Sequence, residues 1–102
     1  MPDAPKALSW DDFRLVRAIA DKSSLPAAAA ALGLNHSTVF RRLRQIEAML
    51  GLALFERHRS GFLPTPAGEE IVSTAGRMDH DVTEVLRRLA GQAPSPAGEL
   101  RI

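Results

Sequence analysis

The sequence predicts a mainly α fold, with three helices, a short β-hairpin and one long closing helix. Three observations carry that prediction. Apolar residues recur at helical spacing in successive segments, Val39, Leu43, Ile46 and Leu50 being the clearest run. Helix-opening Ser and Asn residues alternate with helix-ending glycines along the first half. A second apolar run, Ile71, Ala75, Met78, Val82, Val85 and Leu89, keeps the spacing of a heptad seam well beyond the length of an ordinary helix face.

The first helix is written in "SWDDFRLVRAIADK". Ser9 is suited to cap it, and Asp11 and Asp12 occupy the electropositive first turn. Phe13, Val16, Ile19 and Ala20 share one face, with Trp10 a turn earlier, and this stripe is expected to form core. In "SSLPAAAAALGL", Ser24 caps a short second helix and Pro26 sits in its first turn, where the missing N–H is harmless. Small Ala28 and Ala29 allow another helix to approach closely, while Leu25 and Leu32 anchor the ends and Gly33 stops the helix.

Asn35 caps a third helix that runs to about Leu50 and is closed by Gly51. At about 100° per residue, Ser37, Arg41 and Ala48 point away from its apolar stripe, flanked by Thr38, Arg44 and Gln45. The segment "LALFERHRSGFLP" reads as a two-stranded hairpin, Leu52–Arg57 and Phe62–Leu63, with Ser60-Gly61 at the tip and Pro64 stopping the return strand. The long helix starts at Thr65-Pro66. Its single narrow apolar stripe predicts pairing with a partner helix through Ile71, Ala75, Met78, Val82, Val85 and Leu89. "GQAPSPAGELRI" has a linker composition.

Composition narrows the function. A chain of 102 residues, 45% hydrophobic and 25% charged, is one small globular domain with room for an appended element. No cysteine is present, which excludes disulfides and thiolate metal sites. No stretch approaches about 18 consecutive apolar residues, and the expected location is cytoplasmic. The net charge of +1 conceals a segregation: residues 35–62 hold five arginines against Glu47 and Glu56, and residues 63–86 hold five acids against Arg77. Only the first of these blocks suits a polyanion.

Ala29, Gly33 and Val39 fall where a helix-turn-helix needs a small facing residue, a left-handed turn and a locking apolar side chain. In that motif the second helix enters the DNA major groove by its N-terminal end. His36, Ser37, Thr38, Arg41 and Arg42 are therefore candidate contacts to base edges, Asn35 a further candidate DNA contact at the head of the helix, and Arg44 a candidate phosphate contact. Phe40, on a flank, either meets a thymine methyl or packs against a neighbouring element. Ser24, at the start of the second helix, is a further candidate for phosphate. Arg57, His58, Arg59 and Ser60 place a basic wing against the backbone or the adjacent minor groove.

From about Asp12 to Leu89 the chain resembles the N-terminal winged helix-turn-helix of LysR-type transcriptional regulators. The resemblance rests on Ser24, Ala28-Ala29 and Leu32, on "NHSTVFRRL", on Ile46-Glu47 and Leu50-Gly51, on Leu54-Phe55-Glu56-Arg57 and on "PTPAG" at Pro64–Gly68. His36, Phe40 and Arg42 depart from the usual Gln, Ser and Gln; Ser23 replaces a common Gly, and Pro64 a Leu. The resemblance implies a DNA-binding domain over residues 1–65, a linker helix over 66–90 that pairs antiparallel in a homodimer, and a hinge over 91–102 leading to an effector domain. It also implies a double-stranded DNA partner with two-fold related half-sites, tetramers in a full-length form and a small-molecule effector downstream. No cofactor, metal or catalytic residue is expected, since His36, His58 and His80 lie far apart with no matching carboxylate set. The rival reading is a winged-helix protein-interaction module.

Overall fold

In the computed structural model, which describes residues 8–92, the first three helices each begin at a side-chain oxygen that satisfies a free amide. Ser9 Oγ accepts from Asp12 N at 3.2 Å and the Asp12 carboxylate accepts from Ser9 N at 3.0 Å, a reciprocal box that opens α1 (Trp10–Lys22). Ser24 Oγ accepts from Ala27 N at 3.2 Å and opens α2 (Leu25–Leu32). Asn35 Oδ1 accepts from Thr38 N at 2.9 Å and opens α3 (His36–Leu50). A β-hairpin follows, β1 (Phe55–His58) antiparallel to β2 (Gly61–Pro64), and then α4 (Pro66–Gln92).

The core lies where α1, α2 and α3 meet, under the base of the hairpin. Leu15, Val16 and Ile19 pack with Leu25, Ala28, Ala29, Val39, Leu43, Ile46, Leu54 and Phe55. Fully burying an aliphatic side chain contributes about 1.5–3 kcal/mol. Ala28 and Ala29 are both buried, as a close α2 contact requires, and Gly33 takes the left-handed turn at φ 72°. Every expected member of the α3 stripe is buried or half-buried.

Three expectations are corrected. On α1 the buried arc is Leu15, Val16 and Ile19, while Phe13 and Trp10 remain partly exposed. This helix is held between α2 and α3 on one side and α4 on another, and the three-way contact turns Leu15 inward. The hairpin is shorter than Leu52–Arg57 and shifted. Phe55 pairs with Pro64 and His58 with Gly61, so the tip is Arg59-Ser60, and Pro64 closes the ladder as its last residue. Finally, α4 continues past Leu89 to Gln92. Of the expected linker, Gly91 and Gln92 are therefore helical, and the remainder, with the "GELRI" strand, lies outside the described residues.

The expected seam on α4 is divided. Ala75 is 1% exposed within this single chain, and Ile71 is partly buried against the same core beside Val72. Arg17 Nη1 lies 3.2 Å from Asp79 Oδ2, tying α1 to α4 just beyond them. Past that ion pair Val82, Val85, Leu86 and Leu89 are all exposed, and Met78 is half-buried at the changeover. Ala75 is thus covered by the domain itself, and Ile71 in part.

Candidate nucleic-acid interface

The outward face of α3 follows from its inward stripe. With Val39, Leu43 and Ile46 buried, His36, Ser37, Phe40, Arg41, Arg44, Gln45 and Ala48 are exposed. Ser37 and Arg41 lie one turn apart at the centre of this face, near the N-terminal end, the end that helix-turn-helix proteins present to a groove. Thr38 is half-buried. Asn35 uses Oδ1 for capping, which leaves its amide nitrogen as the group free to donate. Ser24 likewise accepts an amide but keeps its hydroxyl proton for an acceptor such as phosphate.

Arg42 stands apart from the other candidates. Its Nη2 lies 3.3 Å from Asp12 Oδ1, with the two side chains 30% and 19% exposed. The guanidinium is turned toward α1, onto the carboxylate that also completes the α1 capping box. Unlike the other candidates, Arg42 ties the third helix to the first. Arg44 remains on the surface, 3.5 Å from Glu47 Oε1, with its guanidinium carbon 5.8 Å from the Phe40 ring centroid. Phe40 itself is 45% exposed.

The wing is built around an aromatic pair. Phe55 and Phe62 meet edge to face at 6.3 Å, and Arg57 lies over Phe62 at 5.4 Å. His58 Nε2 lies 3.2 Å from Glu56 Oε1, so this histidine has an acidic neighbour. Arg59 and Ser60 are exposed at the tip. The tip is brought beside the start of α2 because Phe62 N donates to the Ser23 carbonyl at 3.0 Å. Gly61, at φ 126°, has the Ser23 carbonyl oxygen where a Cβ would stand, so this approach requires glycine. Ser23 adopts a left-handed φ of 57° at the end of α1.

Sequence reasoning missed Glu47 and Thr65. Glu47 Oε2 accepts from Leu54 N at 2.8 Å, fixing the entry to the wing to the end of α3. Thr65 donates its hydroxyl to the Ala53 carbonyl at 2.7 Å and accepts from Gly68 N at 3.1 Å. Gly68 in turn lies so close to the Leu54 carbonyl that a Cβ would collide with it. Their signal was the motif itself, since Ile46-Glu47 and Pro64–Gly68 are among the segments that carry the family resemblance.

Comparison with known proteins gives one consistent answer. Residues 10–69 match the model of the bacterial regulatory helix-turn-helix proteins, lysR family. The chain is 36% identical over 84 residues to the HTH-type transcriptional regulator PgrR of Escherichia coli, covering 82% of this chain and 28% of that protein. Full-length LysG of Corynebacterium glutamicum superposes with a TM-score of 0.78 at 26% identity, over 87% of this chain and 32% of that one. The DNA-binding domain of CbnR, solved as a complex with DNA, superposes with a TM-score of 0.70 at 25% identity, over 82% of this chain and 97% of that one. The chain spans less than a third of the curated relatives it matches, 28% of PgrR and 31% of the YofA regulator of Bacillus velezensis. With residues 10–69, more than half its length, matched by the family model, this chain belongs to the lysR family of bacterial regulatory helix-turn-helix proteins.

Proposed function

We propose that this chain reads double-stranded DNA by sequence, as the DNA-binding part of a transcriptional regulator. The observation that carries the reading is the exposed row Ser37, Arg41 and Arg44 on α3, together with the exposed basic residues Arg57 and Arg59 of the wing. Arg41 is the residue suited to a guanine, because its fork of donors matches the O6 and N7 acceptors. Ser24, Arg44, Arg57 and Arg59 are suited to phosphates, which set register and supply most of the affinity. The CbnR complex supports the assignment, being a DNA complex of a domain that aligns over nearly its whole length.

The unit that binds is a homodimer, held through the exposed half of the α4 seam, Val82, Val85 and Leu89 with Leu86. The residues up to 65 form the reading head and α4 (Pro66–Gln92) the dimerising helix, and the segment after it serves as the hinge toward an effector domain that senses a small molecule and supports tetramers. The chain is not an enzyme and works in the cytoplasm, where the DNA is; no helix among the described residues is long and apolar enough to cross a membrane.

Selection of sites from a random duplex library, at two salt concentrations, tests this reading. An enriched interrupted dyad is the expected result, with affinity falling by about 0.9 log units per log unit of salt for each phosphate contacted. Recovery of no preferred sequence would reject it in favour of a winged helix that docks on protein.

A further inference from the structure

The recognition helix carries a side chain that neither capping, core packing nor charge explains. Phe40 is the only aromatic among the exposed large apolar residues described, and it lies on the face already assigned to DNA. Two contacts define its setting. The Arg44 guanidinium lies over its ring at 5.8 Å, and Arg44 reaches Glu47, whose second oxygen is bound to Leu54 N. The ring is thus backed by a series of contacts that ends at the root of the wing, while close to half of its surface remains open to solvent.

A phenyl ring can neither donate nor accept a base-edge hydrogen bond. In the major groove the one apolar group that standard base pairs display is the C5 methyl of thymine. We infer that Phe40 is a specificity-determining residue that seats against a thymine methyl in each half-site, with Arg44 as the residue that holds the ring in position. The inference rests on the DNA-binding reading above and narrows it to one chemical group on the DNA.

Uracil differs from thymine only by that methyl and pairs identically, so the test is a thymine-to-uracil scan of the duplex recovered by selection. Each thymine is replaced singly, and binding is measured for the wild-type chain, Phe40→Leu and Phe40→Ser. Both substitutions are at an exposed position, and thermal unfolding checks that each variant folds. Burying one methyl group is worth about a fourfold change in affinity. The expected result is one thymine per half-site whose replacement weakens wild-type binding by about that factor, a similar loss in Phe40→Leu, and none in Phe40→Ser. Equal tolerance of uracil at every position by the wild type would overturn the inference while leaving DNA reading intact. So would a uracil penalty that persists undiminished in Phe40→Ser, because another residue would then meet the methyl. Failure to bind any duplex would remove both the inference and the reading beneath it.

Discussion

Replacing Glu47 with alanine tests how the wing is held to the recognition helix. In the native chain the Glu47 carboxylate accepts from Leu54 N at 2.8 Å, and its side chain is only 13% exposed. Leu54 is itself fully buried, and its carbonyl accepts from Thr65 N at 3.0 Å. Truncation to alanine leaves the Leu54 amide without its charged acceptor at the edge of the core, a loss of about 1.5–3 kcal/mol. The ion pair to Arg44 adds little, about 0.3 kcal/mol, because Arg44 is 69% exposed. The expected total is about 2 kcal/mol, a fall in Tm of roughly 8–16 °C for a domain of this size. Urea titration followed by circular dichroism measures it, at one protein concentration for all variants, since association shifts apparent stability. Glu47→Gln keeps an acceptor and loses only the charge, so about 1 kcal/mol is expected there. A change below about 0.5 kcal/mol for Glu47→Ala would refute the reasoning, and so would equal losses for the two variants.

Four further outcomes are expected. Arg41→Ala should weaken binding to the selected site by about 1–3 kcal/mol and relax base preference at one position per half-site, measured by fluorescence anisotropy; unchanged binding would contradict the orientation proposed for α3. Because Ser23 holds φ at 57°, Ser23→Gly should raise stability by about 0.5 kcal/mol in thermal unfolding, whereas a loss would show that the left-handed turn carries no strain. Arg42→Met and Asp12→Asn should each destabilise the fold, and a double-mutant cycle should give a coupling of about 0.5–1 kcal/mol; additive effects would mean that the 3.3 Å pair contributes nothing. Val82→Glu should yield monomers in sedimentation at concentrations where the parent is dimeric, and an intact dimer would eliminate the exposed seam as its interface.

Where local periodicity decided an element, the sequence was a sufficient guide, and α3 is the clearest case. Its core partners all lie on one side, so a single stripe of Val39, Leu43, Ile46 and Leu50 describes it. Neighbours on more than one side surround α1, and the inward turn of Leu15 depends on a packing arrangement that no window of α1 contains. The α4 seam was legible as a continuous pattern, but periodicity cannot tell which partner each part meets. Ala75 is buried and Ile71 packs against the domain's own core, whereas Val85 and Leu89 are open. The hairpin slipped by a residue because "RSG" permits more than one tight tip, and the choice is made by Ser23, far back in the chain. In the candidate site the exposed cations were visible from spacing alone. Arg42 was not, because the carboxylate that turns it away, Asp12, is 30 residues distant.

The continuity of α4 gives the molecule a mechanical property. Its 27 residues form one uninterrupted rod of about 40 Å, clamped to α1 at its near end and free of the reading head at its far end. A rod clamped in this way works as a lever arm: a displacement imposed at the far end reaches the head as a rotation, with little bending to absorb it. In the proposed dimer two such arms cross, so the spacing between the two reading heads becomes a function of the angle at the crossing. Control of which DNA sites fit could then be exercised entirely from the far end, without moving any atom of a head relative to its neighbours.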